Sequence, residues 1–391
     1  MPLADGAFTC KLTFMNQQAR HFRTVARIVG APGCIGEIGD IAAGFGRRGV
    51  VCTGAKSGKA SGALDAISAA FEAGGIEWSV FDRIEGEPTC ADVDAIREVM
   101  AQTGADFVVG AGGGSAMDAA KAAAGLARET DDTAAFLHEG KEARRGLPLI
   151  TVPTTSGSGA EVTPNAVISD PAARVKKSIR NGSYLPAAAI VDPRLTLSCP
   201  PTVTAHSGGD ALTQAVEAFV SRNATPLTDS LALEAVRLLW ANLERAWSRG
   251  SDIEARTACA WGSLLAGIAL SNARLGAVHG TAHPVGIRLG APHGLVCAAL
   301  LPEVVRINLP FAPGKYARLE AITGRGLPER LEALNDTLGI SADFKAYPLA
   351  DADFDAVAEE SMPSGSLKAN PKPFTTDDVV AVLESVAARG K

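Results

Sequence analysis

The sequence predicts an α/β domain over residues 1–200 followed by an all-α domain over residues 201–391. Three observations carry this. Strand-length apolar runs alternate with helical patterns through the first half, the signature of a parallel sheet with crossover helices. After Pro200-Pro201 the strand signals nearly vanish and long helical periodicities replace them. A chain of 391 residues also exceeds what one hydrophobic core usually supports.

The elements follow in order. A strand is expected over 24–29, a Gly/Pro-rich turn over 30–36 and a helix over 36–48. Next come a buried strand over 49–53 ending at Gly54, a helix over 60–74, a strand over 78–81 and a helix over 91–103. The strand over 106–110 runs into Gly112-Gly-Gly-Ser115, and an Ala-rich helix over 116–127 follows. A strand over 148–152 ends at a Thr/Ser/Gly-rich loop, and 162–169 and 188–191 are further strands. Beyond the proline pair, helices are expected over 208–222, 226–248, 252–272, 295–308, 315–323, 327–338, 351–361 and 375–388.

Composition is that of an ordinary globular protein, 47% hydrophobic with a net charge of −6. No basic stripe suggests nucleic acid, and no run of about 18 uninterrupted apolar residues suggests a membrane span. Seven scattered cysteines without a C-x-x-C pair read as reduced thiols. The first residues lack the basic and apolar regions of a secretory signal, so a cytoplasmic protein is expected.

Two loops of the first half invite phosphate. Gly112-Gly-Gly-Ser115 lies between a strand and a helix, where glycines admit a pyrophosphate and the helix N-terminus offers free N–H groups. A plain tight turn is the competing reading. Lys121, two turns into that helix, reaches the same place only if the helix axis points suitably. Thr154-Thr-Ser-Gly-Ser-Gly159 is a second donor-rich loop after a strand, and the two together suit a dinucleotide. At the end of an earlier strand, an acidic residue would bond the adenosine ribose and repel a 2′-phosphate. Gly54 stands there instead, with Lys56 and Lys59 following, which favours NADP over NAD.

In the second half, three of six histidines cluster within residues 276–294. His279 and His283 are four apart and share a face if the segment is helical, and Pro284 stops or kinks such a helix. His293, between Pro292 and Gly294, reads as a turn residue swinging back toward them. Converging imidazoles suit a divalent transition metal, although separate core or surface histidines are the alternative. Asp210, Gln214 and Glu217 line one helical face, and Asp210 is either a dipole-favoured residue or a metal carboxylate.

These motifs, with Pro153–Thr163, Asp210-Ala-Leu-Thr and Ala369-Asn-Pro-Lys-Pro373, span nearly the whole chain, which resembles the iron-containing (group III) alcohol dehydrogenases. The resemblance implies the dehydroquinate synthase-like architecture, with a nucleotide-binding domain followed by a helical one. It implies that Gly113, Gly114, Ser115, Asp118, Thr154, Thr155 and Ser158 line the cofactor site, with Lys177 near the ribose. It also implies that Asp210, His279 and His293 ligate Fe²⁺ or Zn²⁺, that His283 relays a proton, and that the chain forms a homodimer or larger homo-oligomer. One position departs: the family usually carries histidine where this chain has Gln214, a neutral and weak ligand.

The expected reaction is hydride transfer between NADP (or NAD) and a small alcohol or aldehyde, with the metal as Lewis acid. Without metal, His283 or His279 donates a hydrogen bond to the substrate oxygen, as in a reductase of the maleylacetate reductase type. A dehydroquinate synthase-like lyase and a silent nucleotide-binding protein are the remaining alternatives.

Overall fold

The computed structural model describes residues 21–144, 146–173, 175–348 and 353–390. Cys10 and the start of the helix expected at 351 lie outside these residues; the six described cysteines are free thiols. Six parallel strands form the central sheet: β1 (Arg27–Gly30), β2 (Arg48–Gly54), β3 (Glu77–Ile84), β4 (Phe107–Gly112), β5 (Leu149–Pro153) and β8 (Ala188–Val191). An antiparallel hairpin, β6 (Asn165–Asp170) and β7 (Val175–Arg180), precedes the last of them. The helices between are α1 (Ile38–Ala43), α2 (Ser57–Ala60), α3 (Ala63–Gly74), α4 (Cys90–Thr103), α5 (Gly114–Gly125) and α6 (Thr133–Glu139).

The sheet order is β1-β8-β5-β4-β2-β3. The chain moves outward from β2 to β3, then returns past β2 to β4 and continues the other way. The reversal leaves a crevice beyond the carboxyl ends of β2 and β4, where open α/β sheets bind ligands. Both faces of the sheet are covered. Val51, Phe107 and Val109 pack on Ile38, Ile67 and Phe71 of α1 and α3, while Val50, Cys52 and Val108 pack on α4 and α5.

Helices α7 (Pro201–Val220), α8 (Pro226–Ser248), α9 (Ile253–Ala273), α10 (Ala277–Leu289), α11 (His293–Asn308), α12 (Pro313–Thr323), α13 (Leu327–Thr337), α14 (Ile340–Phe344), α15 (Phe354–Ser361) and α16 (Thr376–Gly390) complete the fold. They share one large apolar core. The stretch His293–Phe311 is long and apolar enough to cross a membrane, but it is the packed centre of this core.

Several expectations are corrected. Helix α7 starts seven residues before the expected 208, because Pro200 and Pro201 occupy its N-cap and first position, where a missing N–H costs nothing. Asp210 therefore sits in the third turn and is no capping residue. The glycines that obscured this helix are packing positions: a Cβ on Gly208 would lie 2.2 Å from Leu243, and one on Gly209 2.8 Å from Ala298. Helix α10 runs through Pro284 to Leu289 instead of stopping. His293 opens helix α11 instead of sitting in a turn. Helix α6 and strand β7 were not expected; Val-Lys-Lys-Ser-Ile-Arg is too polar to read as a strand, and its pairing with β6 makes it one.

Candidate active site

A cleft of about 840 Å³ separates the carboxyl edge of the sheet from the helical half. Its sheet-side wall includes Gly114, Ser115, Asp118, Thr155 and Ser158; its helical wall includes Asp210, Gln214, His279, His283 and His293. Helix α5 begins at the glycine run, with Gly113 as an extended N-cap residue that offers no side-chain cap. The first N–H groups of α5 therefore face the cleft without internal partners, as an anion site requires. The loop after β5 is fixed from behind: Gly159 has φ +63 and approaches α9 so closely that a Cβ would sit 2.5 Å from the Gly267 Cα.

Not every residue expected at the cofactor reaches this wall. Thr154 is buried, with its N–H on Gly112 and its carbonyl accepting from Cys199. Gly54 ends β2 beside Gly112 at the crevice but outside the cleft lining. Strand alternation turns Lys177 to the other face of the hairpin from the cleft. Lys177 is exposed and pairs with Ile168, whereas Lys176, Ser178 and Arg180 line the cleft. Sequence reading missed Lys176 and Arg180 because the strand that sets their alternation was not recognised.

Lys121 does not reach the phosphate end. It is fully buried, 3.0 Å from Asp118 Oδ1, and donates to the Asn165 carbonyl (2.6 Å) and Thr163 Oγ1 (3.1 Å). Asp118 Oδ2 accepts from the Val167 N–H at 2.9 Å, so this pair clips α5 to the hairpin. Nearby Glu161 is buried, and burial pushes its carboxyl up to about 7. Since the folded-state value lies above the unfolded one, Glu161 is no burden below about pH 4.5, and stability falls as pH rises through about 7. Urea titrations should show this decline, at most about 3 kcal/mol, and a flatter profile in Glu161→Gln.

The helical wall carries the charged cluster. His279 Nδ1 lies 2.6 Å from Glu217 Oε2, and its Nε2 lies 3.1 Å from Asp210 Oδ1. Glu217 also accepts from the Val278 N–H at 2.7 Å, so the start of α10 and its imidazole are oriented by one buried carboxylate. Asn370, from the late Ala-Asn-Pro-Lys-Pro motif, accepts from the Ala277 N–H at 3.1 Å and anchors the same helix start. His293 stacks on His283 with ring centroids 4.9 Å apart. Cys297, one turn along α11, places Sγ 3.5 Å from His293 Nε2 and 3.7 Å from His279 Nε2. Sequence reading missed Cys297; its i+4 spacing from His293 was the available signal.

The electrostatics follow from this crowding. Burial alone would push His279 down, but the Cys297 sulfur, Glu217 and the Asp210 hydrogen bond outweigh it and hold the imidazole well above its usual range. His293 is raised against burial by Cys297 and Asp210. Asp210 is lowered despite burial by His279 and His293. His283 goes the other way: burial first, then His293, Lys176 and His279, push it well below the ordinary imidazole value. His283 is thus held neutral, with one ring nitrogen unprotonated. It lines both this cleft and a second cavity of about 550 Å³.

The donor chemistry fits a divalent cation. Ligand atoms of Asp210, His279, His293 and Cys297 all lie within 4.8 Å of one another, and the carboxylates converging there favour positive charge. Gln214 adds a buried Oε1 on the cleft wall that has no hydrogen-bond partner among the described residues.

Residues 26–193 match the iron-containing alcohol dehydrogenase family, and residues 204–387 match its C-terminal domain. A 1,3-propanediol dehydrogenase of Klebsiella pneumoniae is 35% identical over 336 residues, covering 82% of this chain and 86% of its own. An alcohol dehydrogenase from Oenococcus oeni superposes with a TM-score of 0.89 at 31% identity, over 94% of this chain and all of that one. A sulfoacetaldehyde reductase from Bifidobacterium kashiwanohense, solved with NAD⁺, gives 0.84 at 30% identity over 95% of this chain and 99% of that one. The fold and its cleft are thus those of a nicotinamide-dependent oxidoreductase in two layers, sheet and helical bundle. The chain belongs to the iron-containing alcohol dehydrogenase family, whose reaction interconverts an alcohol and its aldehyde.

Proposed function

We propose that the chain is an NADP-dependent aldehyde reductase whose nucleotide lies along Gly113, Gly114, Ser115, Thr155 and Ser158. In this reading Asp210, His279 and His293 hold a divalent metal, and His283 relays the proton. The observation that carries the reading is the facing of the two walls: a donor-rich helix N-terminus opposite a buried histidine–carboxylate cluster across one cleft. Domain division at Pro200-Pro201 and a homo-oligomeric, cytoplasmic enzyme belong to the same proposal.

When bound, the reduced nicotinamide supplies the hydride and the metal supplies positive charge at the substrate oxygen. The protein's own part is positional. The N–H groups opening α5 hold phosphate oxygens, and Asp118 with Lys121 keeps that helix against the hairpin. Glu217 fixes the His279 ring. His283 would pass a proton to the carbonyl oxygen during reduction from one ring nitrogen while accepting one at the other from the second cavity, and the reverse during oxidation. Gly54 leaves room for a 2′-phosphate, which favours NADP over NAD.

Metal analysis of the purified protein, with NADPH- and NADH-dependent aldehyde reduction before and after chelation, tests this. Stoichiometric metal with chelator-sensitive, NADPH-preferring turnover is the expected result. Chelator-resistant turnover by metal-free protein would favour the maleylacetate reductase-like alternative, with histidine as the hydrogen-bond donor.

One observation favours an aldehyde that bears an acid group. Arg180 stands at the cleft mouth, and partial burial and then the nearby charge of Arg274 push its pKa down. Among the described residues, neither guanidinium has an ion pair or a side-chain hydrogen bond. Arg274 has φ +64 and ψ near 180°, a region that costs other than glycine on the order of 1–3 kcal/mol. The sulfoacetaldehyde reductase among the relatives is named for such a substrate. Arg180→Ala should raise KM for a sulfonate- or carboxylate-bearing aldehyde about 10- to 100-fold and leave a neutral aldehyde nearly unchanged. Equal effects on both would sink the acid-group reading.

A further inference from the structure

We propose that Cys297 supplies, as a thiolate, the fourth metal donor that Gln214 does not, making this a carboxylate–imidazole–imidazole–thiolate site selective for a thiophilic dication such as Zn²⁺. The inference rests on the metal-assisted reading above and concerns which side chains hold the ion.

Spacing is the first argument. Around a zinc-like ion with bonds of about 2.0–2.1 Å to nitrogen or oxygen and about 2.3 Å to sulfur, tetrahedral geometry sets N···S separations near ~3.6 Å and O···N near ~3.3 Å. Cys297 Sγ lies 3.5 Å from His293 Nε2 and 3.7 Å from His279 Nε2, and Asp210 Oδ1 lies 3.1 Å from His279 Nε2. These three separations are close to tetrahedral edges, and all four donors lie within 4.8 Å of one another.

Support from the scaffold is the second argument. His293 and Cys297 are one turn apart on α11, so a single rigid helix presents both. His279 is oriented by Glu217 from α7, the helix that also carries Asp210. Cys297 is fully buried, and its sulfur faces the two imidazoles.

Ligand chemistry is the third. Gln214 offers only a neutral amide oxygen, whereas a cysteine sulfur binds as an anion and favours zinc over harder ions. With Asp210 it would neutralise a dication without charge from Gln214. The Gln214 Oε1, buried beside this cluster and without a partner among the described residues, can then accept a hydrogen bond from a substrate hydroxyl or a water. Residue types at the two positions thus complement each other: the weak donor at 214 and the strong one at 297 share one site.

Cobalt substitution tests this. Metal-stripped full-length protein loaded with Co²⁺ should show a thiolate-to-cobalt charge-transfer band in the near ultraviolet. Cys297→Ser should bind cobalt without that band, at an affinity reduced at least about 10- to 100-fold, the loss seen even for groups that only support a ligand. Adding Gln214→His to Cys297→Ser should recover affinity but not the band. Stoichiometric cobalt without the band in the unmutated protein would overturn the role of Cys297 and leave the metal reading standing. Failure to bind cobalt or zinc while aldehyde turnover persists would overturn both. Should Cys297→Ser fail to fold, the unmutated spectrum still decides.

Discussion

His279→Ala is expected to lower kcat/KM for NADPH-dependent aldehyde reduction about 10³-fold, near 4 kcal/mol of transition-state stabilisation. His279 is the residue on which the cluster turns, since one nitrogen meets Asp210 and the other Glu217. Its loss removes a proposed metal donor and leaves Glu217, only 2% exposed, with the Val278 N–H but without its imidazole partner. Losing one member of such a buried charge pair costs about 3–5 kcal/mol of stability. Activity must therefore be read beside thermal unfolding, and Glu217→Gln separates the effects. That variant keeps the ring's neighbour uncharged and should lose about 10- to 100-fold in metal affinity or turnover. The KM for NADPH should stay nearly constant in both, because the glycine-rich loop belongs to the opposite wall. A folded His279→Ala protein within tenfold of the parent would remove His279 from the mechanism.

Gly54→Asp should reverse the nucleotide preference. A carboxylate at the end of β2 accepts hydrogen bonds from the ribose hydroxyls and repels a 2′-phosphate. Facing like charges costs several kcal/mol, so kcat/KM for NADPH should fall about 100-fold while that for NADH holds or rises. A Cβ at Gly54 would meet Ser57 Oγ at 2.6 Å. That hydroxyl is the end of a short side chain that rotates away, and Ser57→Gly in the same background removes the obstacle outright. Steady-state kinetics with both nucleotides check this, and a parent enzyme that already prefers NADH would contradict the role given to Gly54.

Much of this site was legible because its signals are local. A Gly run between a strand and a helix needs only neighbouring residues to be recognised, and α5 opens at Gly114 as that order demands. The close spacing of His279, His283 and His293 is likewise a signal that needs no tertiary contact. Polar strands were harder. β7 exists because it pairs with β6, so Lys176 and Arg180 came into the cleft, and Lys177 left it, only through a register that no single segment encodes. Helix α10 ignores the stop signal of Pro284 because Glu217 and Asn370 hold its start and the surrounding helices bury it.

By itself the sequence determined the class of the fold, the two phosphate-suited loops and the identity of the histidine cluster, because periodicity, glycine placement and residue chemistry are properties of short stretches. Only the tertiary structure decided which donors share a point. Asp210, His279, His293 and Cys297 come from three helices, α7, α10 and α11. Whether such atoms stand within 4.8 Å or at opposite ends of a domain depends on how helices cross, and that is settled by packing across the whole core.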